Sequence, residues 1–238
     1  MVVLKRKNLV IGGTLILTLI TIIVCLFALS FNPISKVEAG VVSIVLDAGH
    51  GGVDAGVSGV TTGVKESDLN LAVTKKLEKY LSSAGFFVTL TRSTDAGLYG
   101  TPTGNKKRKD MEKRREIIKE ANPDLVVSIH MNYFSTSSRR GAQVFYEKGD
   151  TGGKLLAESL QKAFNGMEKA SRNCSILAGD YYVLNTTECP AVIAECGFLS
   201  NREDEALLVT EEYQNEIAYT IFSGIVDYLS ISSIKFCD

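Results

Sequence analysis

Only two histidines, His50 and His130, occur in the 238 residues, and the five cysteines include no CxxC pair. The first scarcity excludes a His-rich metal store, and the second removes the spacing of a cysteine-based zinc site. Excess charge of one sign is missing too. Lys and Arg number 26 against 27 Asp and Glu, which leaves a net charge of −1 rather than the basic excess of a dedicated nucleic-acid binder. No internal repeat or low-complexity tract is present. Gly149–Lys154 (GDTGGK) lacks the GxxxxGK[ST] spacing of a phosphate-binding loop, and GVSG at 56–59 is not a GxSxG nucleophile elbow. No serine is placed beside a histidine and an acid. What is present is 45% apolar residues, ample for a core at this length, so disorder and collagen-like folds are excluded.

Lys5, Arg6 and Lys7 precede an uncharged run from Leu9 to Leu29. At 1.5 Å per residue this run extends roughly 31 Å, enough to cross a bilayer core of about 30 Å. The basic flank places the N-terminus in the cytoplasm and the remainder outside. The run reads as an uncleaved membrane anchor. The competing reading is a signal segment cut before Gly40, where Val37 and Ala39 offer small residues. Both readings export the rest of the chain, either held on the outer face of the membrane or secreted. Loss of the three basic residues takes the net charge from −1 to −4, which favours solubility. Residues 1–40 are thus expected to be an anchor or signal segment with a linker, 41–230 the functional domain and 231–238 a short tail.

Within 41–230, short β-rich runs alternate with helix-periodic segments. Strands are expected at Val41–Asp47, Phe86–Thr91, Leu125–Ile129, Ala142–Tyr146, Tyr181–Leu184 and Ala191–Ala194. Helices are expected at Asp68–Ala84, Asp110–Ala121, Leu155–Phe164, Arg202–Val209 and Glu211–Leu229. Several strands are apolar without alternation, the pattern of central strands covered on both faces. The expected fold is α/β: an open, mainly parallel sheet of about six strands with helices on both faces, preceded by the N-terminal hydrophobic helix. The basic residues Lys106–Lys109 and Lys113–Arg115 read as a solvated helix face, or as a surface that steers an anionic polymer.

Ligands in such sheets bind beyond the carboxyl ends of the strands. SIVLD is followed by Ala48-Gly49-His50-Gly51-Gly52, LVVSI by His130, and AVIA by Glu195. Both histidines and one carboxylate therefore emerge at one edge. A third carboxylate, Glu66, opens the first helix, where Asp54 and Asp68 compete with it as ligand candidates. Two histidines, a glutamate and an open fourth position are the ligand set of a catalytic zinc, with one ion per chain, although no HExxH helix is present. Glu195, at the end of an apolar strand, is the candidate proton shuttle. If both histidines hold a metal, a carboxylate must do that work.

Five segments together resemble the zinc-dependent N-acetylmuramoyl-L-alanine amidases: IVLDAGHGGVDAG (44–56), KESDLNLAV (65–73), TLTR (89–92), DLVVSIHMN (124–132) and AVIAECGFLSNREDE (191–205). The resemblance implies zinc on His50, Glu66 and His130, and a catalytic Glu195. The bond cut would join muramic acid's lactyl group to L-alanine in peptidoglycan. A short chain with a hydrophobic N-terminus resembles most the germination-specific enzymes of spore cortex, which act in muramic-δ-lactam formation. The partners implied are glycan strands with stem peptides, the membrane through the N-terminal segment, and an activator protein, with no nucleic acid. The nine residues between Asn132 and Ala142 leave little room for the self-blocking helix of some division amidases. Two other classes remain open: a zinc peptidase acting on the stem peptide, and a non-catalytic peptidoglycan-binding protein.

Overall fold

The computed structural model describes residues 40–100, 104–169 and 173–235. The expected membrane or signal segment lies outside the described residues. Among those described, no helix is long and apolar enough to cross a membrane.

Strand β1 (Ser43–Ala48) leads through a glycine-rich loop to helix α1 (Glu66–Ser83), then β2 (Phe87–Leu90) and helix α2 (Lys106–Ala121). Strands β3 (Leu125–Asn132) and β4 (Gln143–Glu147), helix α3 (Thr151–Asn165) and the short strand β5 (Leu177–Gly179) follow. The chain closes with β6 (Ala191–Phe198), α4 (Arg202–Leu208) and α5 (Glu211–Lys235). The six strands lie in the order β2-β1-β3-β6-β4-β5. All neighbours are parallel except β4 and β6, which run antiparallel with Gln143 opposite Glu195.

The unbroken apolar strands behave as their pattern requires. Side chains alternate between faces, so each strand feeds two cores. Ile44, Leu46, Val127, Ile129, Val192 and Ala194 pack with Leu77 and Leu81 of α1, Leu160 of α3 and Ile221 of α5. Val45, Val126, Ala191 and Ile193 point to the other face, against Ile118 of α2 and the segment Val183–Leu184. The same parity places Asp47, Ser128, His130 and Glu195 on the α2 face of the sheet. That face carries the polar machinery, and the opposite face carries most of the hydrophobic core.

Several elements depart from the sequence expectation; among them, α3 starts four residues before Leu155, capped by Asp150, and β6 runs four residues past Ala194. Tyr181–Leu184 is not a strand. Its backbone turns, with the N–H groups of Leu184 and Asn185 both donating to the Tyr181 carbonyl, and passes into a 3₁₀ turn at Leu184–Thr186. Val183 and Leu184 are apolar because they plug the second core, while β5 forms upstream at Leu177–Gly179. Helix α2 starts four residues before the expected Asp110, because the Asn105 side chain caps it by accepting from the Arg108 N–H at 3.1 Å. Helix α5 runs on to Lys235 rather than stopping near Leu229.

Candidate metal centre and catalytic cavity

Chain reversal after β1 sets the position of His50. Its backbone adopts φ of +60°, the left-handed region, between Gly49 and Gly51. Gly49 is dictated by contact rather than torsion: a Cβ there would land on the His130 imidazole. Gly56 combines both demands, since its φ is +67° and a Cβ would strike the Glu66 carboxylate.

Two buried arginines lock this loop. Arg114 of α2 donates to the carbonyl oxygens of Ala48 at 2.7 Å and His50 at 2.5 Å, and pairs with Asp47 and Asp110. Arg92 donates from its guanidinium to the carbonyls of Ala48, Gly49, Ser67 and Thr94. Asp47 also accepts from Thr91 and Ser128. Burial alone would raise the Asp47 pKa, but Arg114 and the two hydroxyls outweigh it and hold the group at about 2. Arg114 therefore does not belong to the solvated basic face that the sequence predicts at Lys106–Lys109 and Lys113–Arg115. It is 2% exposed, on the inward stripe of α2 with Asp110 and Ile118. The i, i+4 spacing of these three residues was the signal that marked it.

Glu66 opens α1 with its own N–H donating to the Val57 carbonyl, so loop residues satisfy the helix start in place of a side-chain cap. Its carboxylate is buried. Oε2 accepts from the Val57 N–H at 3.0 Å, and Oε1 lies 2.9 Å from His130 Nδ1 and 3.2 Å from His50 Nε2. Despite burial, these two imidazoles keep its pKa far below the ordinary carboxylate range. His50, Glu66 and His130 each offer one ligand atom, and these atoms all lie within 4.8 Å of one another. Among the rival carboxylates, Asp54 turns to the far side of His50 and binds Nδ1 at 3.0 Å. Burial pulls the His50 pKa down, but Glu66 and Asp54 more than reverse it, and the net shift is upward. The set fits a metal ion: two imidazole nitrogens and a carboxylate oxygen suit zinc, and a carboxylate behind one histidine is the usual orienting partner.

Glu195 stands beside His130 on the neighbouring strand, in direct register. Its Oε2 is buried and has no hydrogen-bond partner. Burial raises its pKa to about 7, with the Glu66 charge adding to the effect and the two histidines opposing it. All four residues line one cavity of about 430 Å³, together with Asn132, Tyr133 and Tyr181. The segment from Tyr133 to Gly141 holds turns and no helix, so it places no plug over this cavity. Cys174, Cys189 and Cys196 are free thiols outside the cavity.

The profile of the N-acetylmuramoyl-L-alanine amidases matches residues 44–227. The chain belongs to this amidase family. A germination-specific N-acetylmuramoyl-L-alanine amidase of Bacillus subtilis is 32% identical over 84% of this chain and 85% of its own length. Among solved structures, the CwlD amidase of Clostridioides difficile in complex with the GerS lipoprotein is 39% identical, with a TM-score of 0.77 over 79% of this chain and 98% of that one. The catalytic domain of the amidase CwlV from Bacillus (Paenibacillus) polymyxa var. colistinus is 32% identical, with a TM-score of 0.69, covering 79% of this chain and 98% of that domain. The mainly parallel α/β sheet is thus the fold of this amidase family.

Proposed function

We propose that this amidase hydrolyses the amide between the lactyl group of N-acetylmuramic acid and L-alanine in peptidoglycan, with one zinc ion held by His50, Glu66 and His130. The observation that carries the reading is the convergence of those three donors beside Glu195, whose Oε2 is buried and unpartnered. When bound, zinc lowers the pKa of a water and polarises a carbonyl. The chain supplies the rest. Asp54 holds His50 by Nδ1, which leaves Nε2 for the metal. Glu195 accepts the proton of the attacking water and hands it to the departing alanine nitrogen. A pKa raised toward neutrality suits both transfers.

The likeness to a germination-specific relative and to an amidase solved with a lipoprotein supports a role in spore-cortex maturation, in muramic-δ-lactam formation, with an activating partner outside the membrane. Export through the N-terminal hydrophobic segment, retained as an anchor or removed as a signal, belongs to the same reading.

Digestion of purified sacculi tests it. Mass analysis is expected to find stem peptides with free L-alanine amino termini, and none in the presence of a chelator. Shortened stems would indicate a peptidase instead. Binding without release of any product would indicate a non-catalytic protein.

A further inference from the structure

Lys107, Met111 and Tyr182 line the catalytic cavity and also a second chamber of about 600 Å³, whose other walls are Asn105, Arg108 and Glu112. Lys107 and Tyr182 are both exposed, so no buried partition separates the two spaces. The charges of this side chamber do not cancel. Arg108 Nε holds Glu112 Oε1 at 2.7 Å, and the two neutralise each other. Arg114, in the catalytic cavity, is committed to Asp47 and Asp110. Lys107 is the one Lys or Arg lining either space without a salt bridge among the described residues; its charge acts on Asp54 across the catalytic cavity, but Asp54 is hydrogen-bonded to His50. Met111 adds an adaptable apolar wall and Tyr182 an aromatic one.

The two halves of a muramoyl–alanine amide differ in charge. The lactyl carboxyl of the sugar is consumed in the amide, so that half is neutral. The peptide half carries the free carboxylates of its later residues. An extended ligand with a neutral end and an anionic end is therefore oriented by a single unpaired cation to one side of the reacting bond. We infer that the chamber walled by Lys107, Met111 and Tyr182 is the peptide subsite, and that Lys107 receives a carboxylate of an anionic stem peptide. The inference rests on the amidase reading and adds to it the direction in which the substrate lies.

The test uses two probes with the full chain: N-acetyl-L-alanyl-D-glutamate, which has two free carboxylates, and its neutral diamide. Affinities are read by NMR titration. Wild type is expected to bind the dianion about fivefold tighter than the diamide, as one solvent-exposed ion pair provides. The preference should disappear in roughly 0.5 M salt. Lys107→Glu should abolish it with the circular dichroism spectrum unchanged, and Lys107→Arg should keep it. Lys119→Glu, on the same helix but outside both spaces, controls for net charge and should keep it as well. Equal affinity of wild type for both probes, or a preference that survives Lys107→Glu, overturns the inference. The sacculus digest reports separately: cleavage at L-alanine with equal probe binding removes only the subsite, whereas no cleavage, with the activating lipoprotein supplied, removes the amidase reading beneath it.

Discussion

Asp54 Oδ2 sits 3.0 Å from Nδ1 of His50, while Glu66 Oε1 lies 3.2 Å from Nε2 of the same ring. The imidazole is gripped on one side and presented on the other, which fixes both its tautomer and its direction. Carboxylates in this position tune metal affinity without touching the ion. Asp54→Ala is therefore expected to weaken zinc binding by about 10- to 100-fold. Competition against a chromophoric chelator measures this, and unchanged affinity would leave Asp54 as a mere surface acid.

Glu195→Gln keeps the size of the side chain and removes its capacity to accept a proton. Zinc occupancy should stay at the wild-type level while the rate of amide cleavage falls by about 10²–10⁴. Elemental analysis and the digest are read on the same preparation. Near-wild-type cleavage would transfer the proton step to another group.

The raised pKa of Glu195 carries a stability signature in the metal-free protein. A carboxyl whose folded pKa lies at about 7, above its ordinary 4.5, binds more protons folded than unfolded. Its contribution is fully present below pH 4.5 and is lost as pH rises through 7, by at most about 3 kcal/mol. Urea unfolding of the metal-free wild type should show this fall between pH 4.5 and 8, and Glu195→Gln should reduce it to the part that the raised His50 pKa contributes.

Asp47 behaves in the opposite sense. Its folded pKa of about 2, below the ordinary 3.8, gives stability that is present above pH 3.8 and lost as pH falls through 2. Removing its partner strands the charge. Arg114→Met is expected to cost about 3–5 kcal/mol at pH 7, measured by the same unfolding experiment, because Asp47 and Asp110 then lie uncompensated in a buried site.

Gly49→Ala adds one methyl group where the His130 ring already stands. Overpacking of this kind costs about 1–3 kcal/mol. The ring must move to relieve it, so zinc occupancy should drop even where the protein stays folded. A variant with full occupancy would show that the loop yields instead of the ring.

The fold was largely legible because its strands are unbroken apolar runs and its helices keep a 3.6-residue period. The candidate site was legible in outline because His130 and Glu195 directly follow such runs and His50 comes three residues after one. Residues whose role depends on three-dimensional neighbours were harder to read. Arg114 stands in a row of basic residues, and only its spacing from Asp110 and Ile118 sets it apart from solvated neighbours. Asp54 looked like a rival to Glu66, since sequence order does not say which face of an imidazole a carboxylate will meet. Tyr181–Leu184 has the composition of a strand, yet it fills a gap in the second core, a role set by the shape of that gap.

The alternation that brings Asp47, His130 and Glu195 to one face of the sheet also constrains how the gene can change. One residue inserted in β3 ahead of His130 would move Met131 onto the polar face and send His130 into the hydrophobic layer, with every composition-based property of the chain intact. The turn-rich segment between Tyr133 and Gly141 carries no such parity, so a change of its length turns no strand face over. Diversification among such enzymes is thus expected to be written in the lengths of their surface loops, with the reading frame of β3 and β6 held fixed.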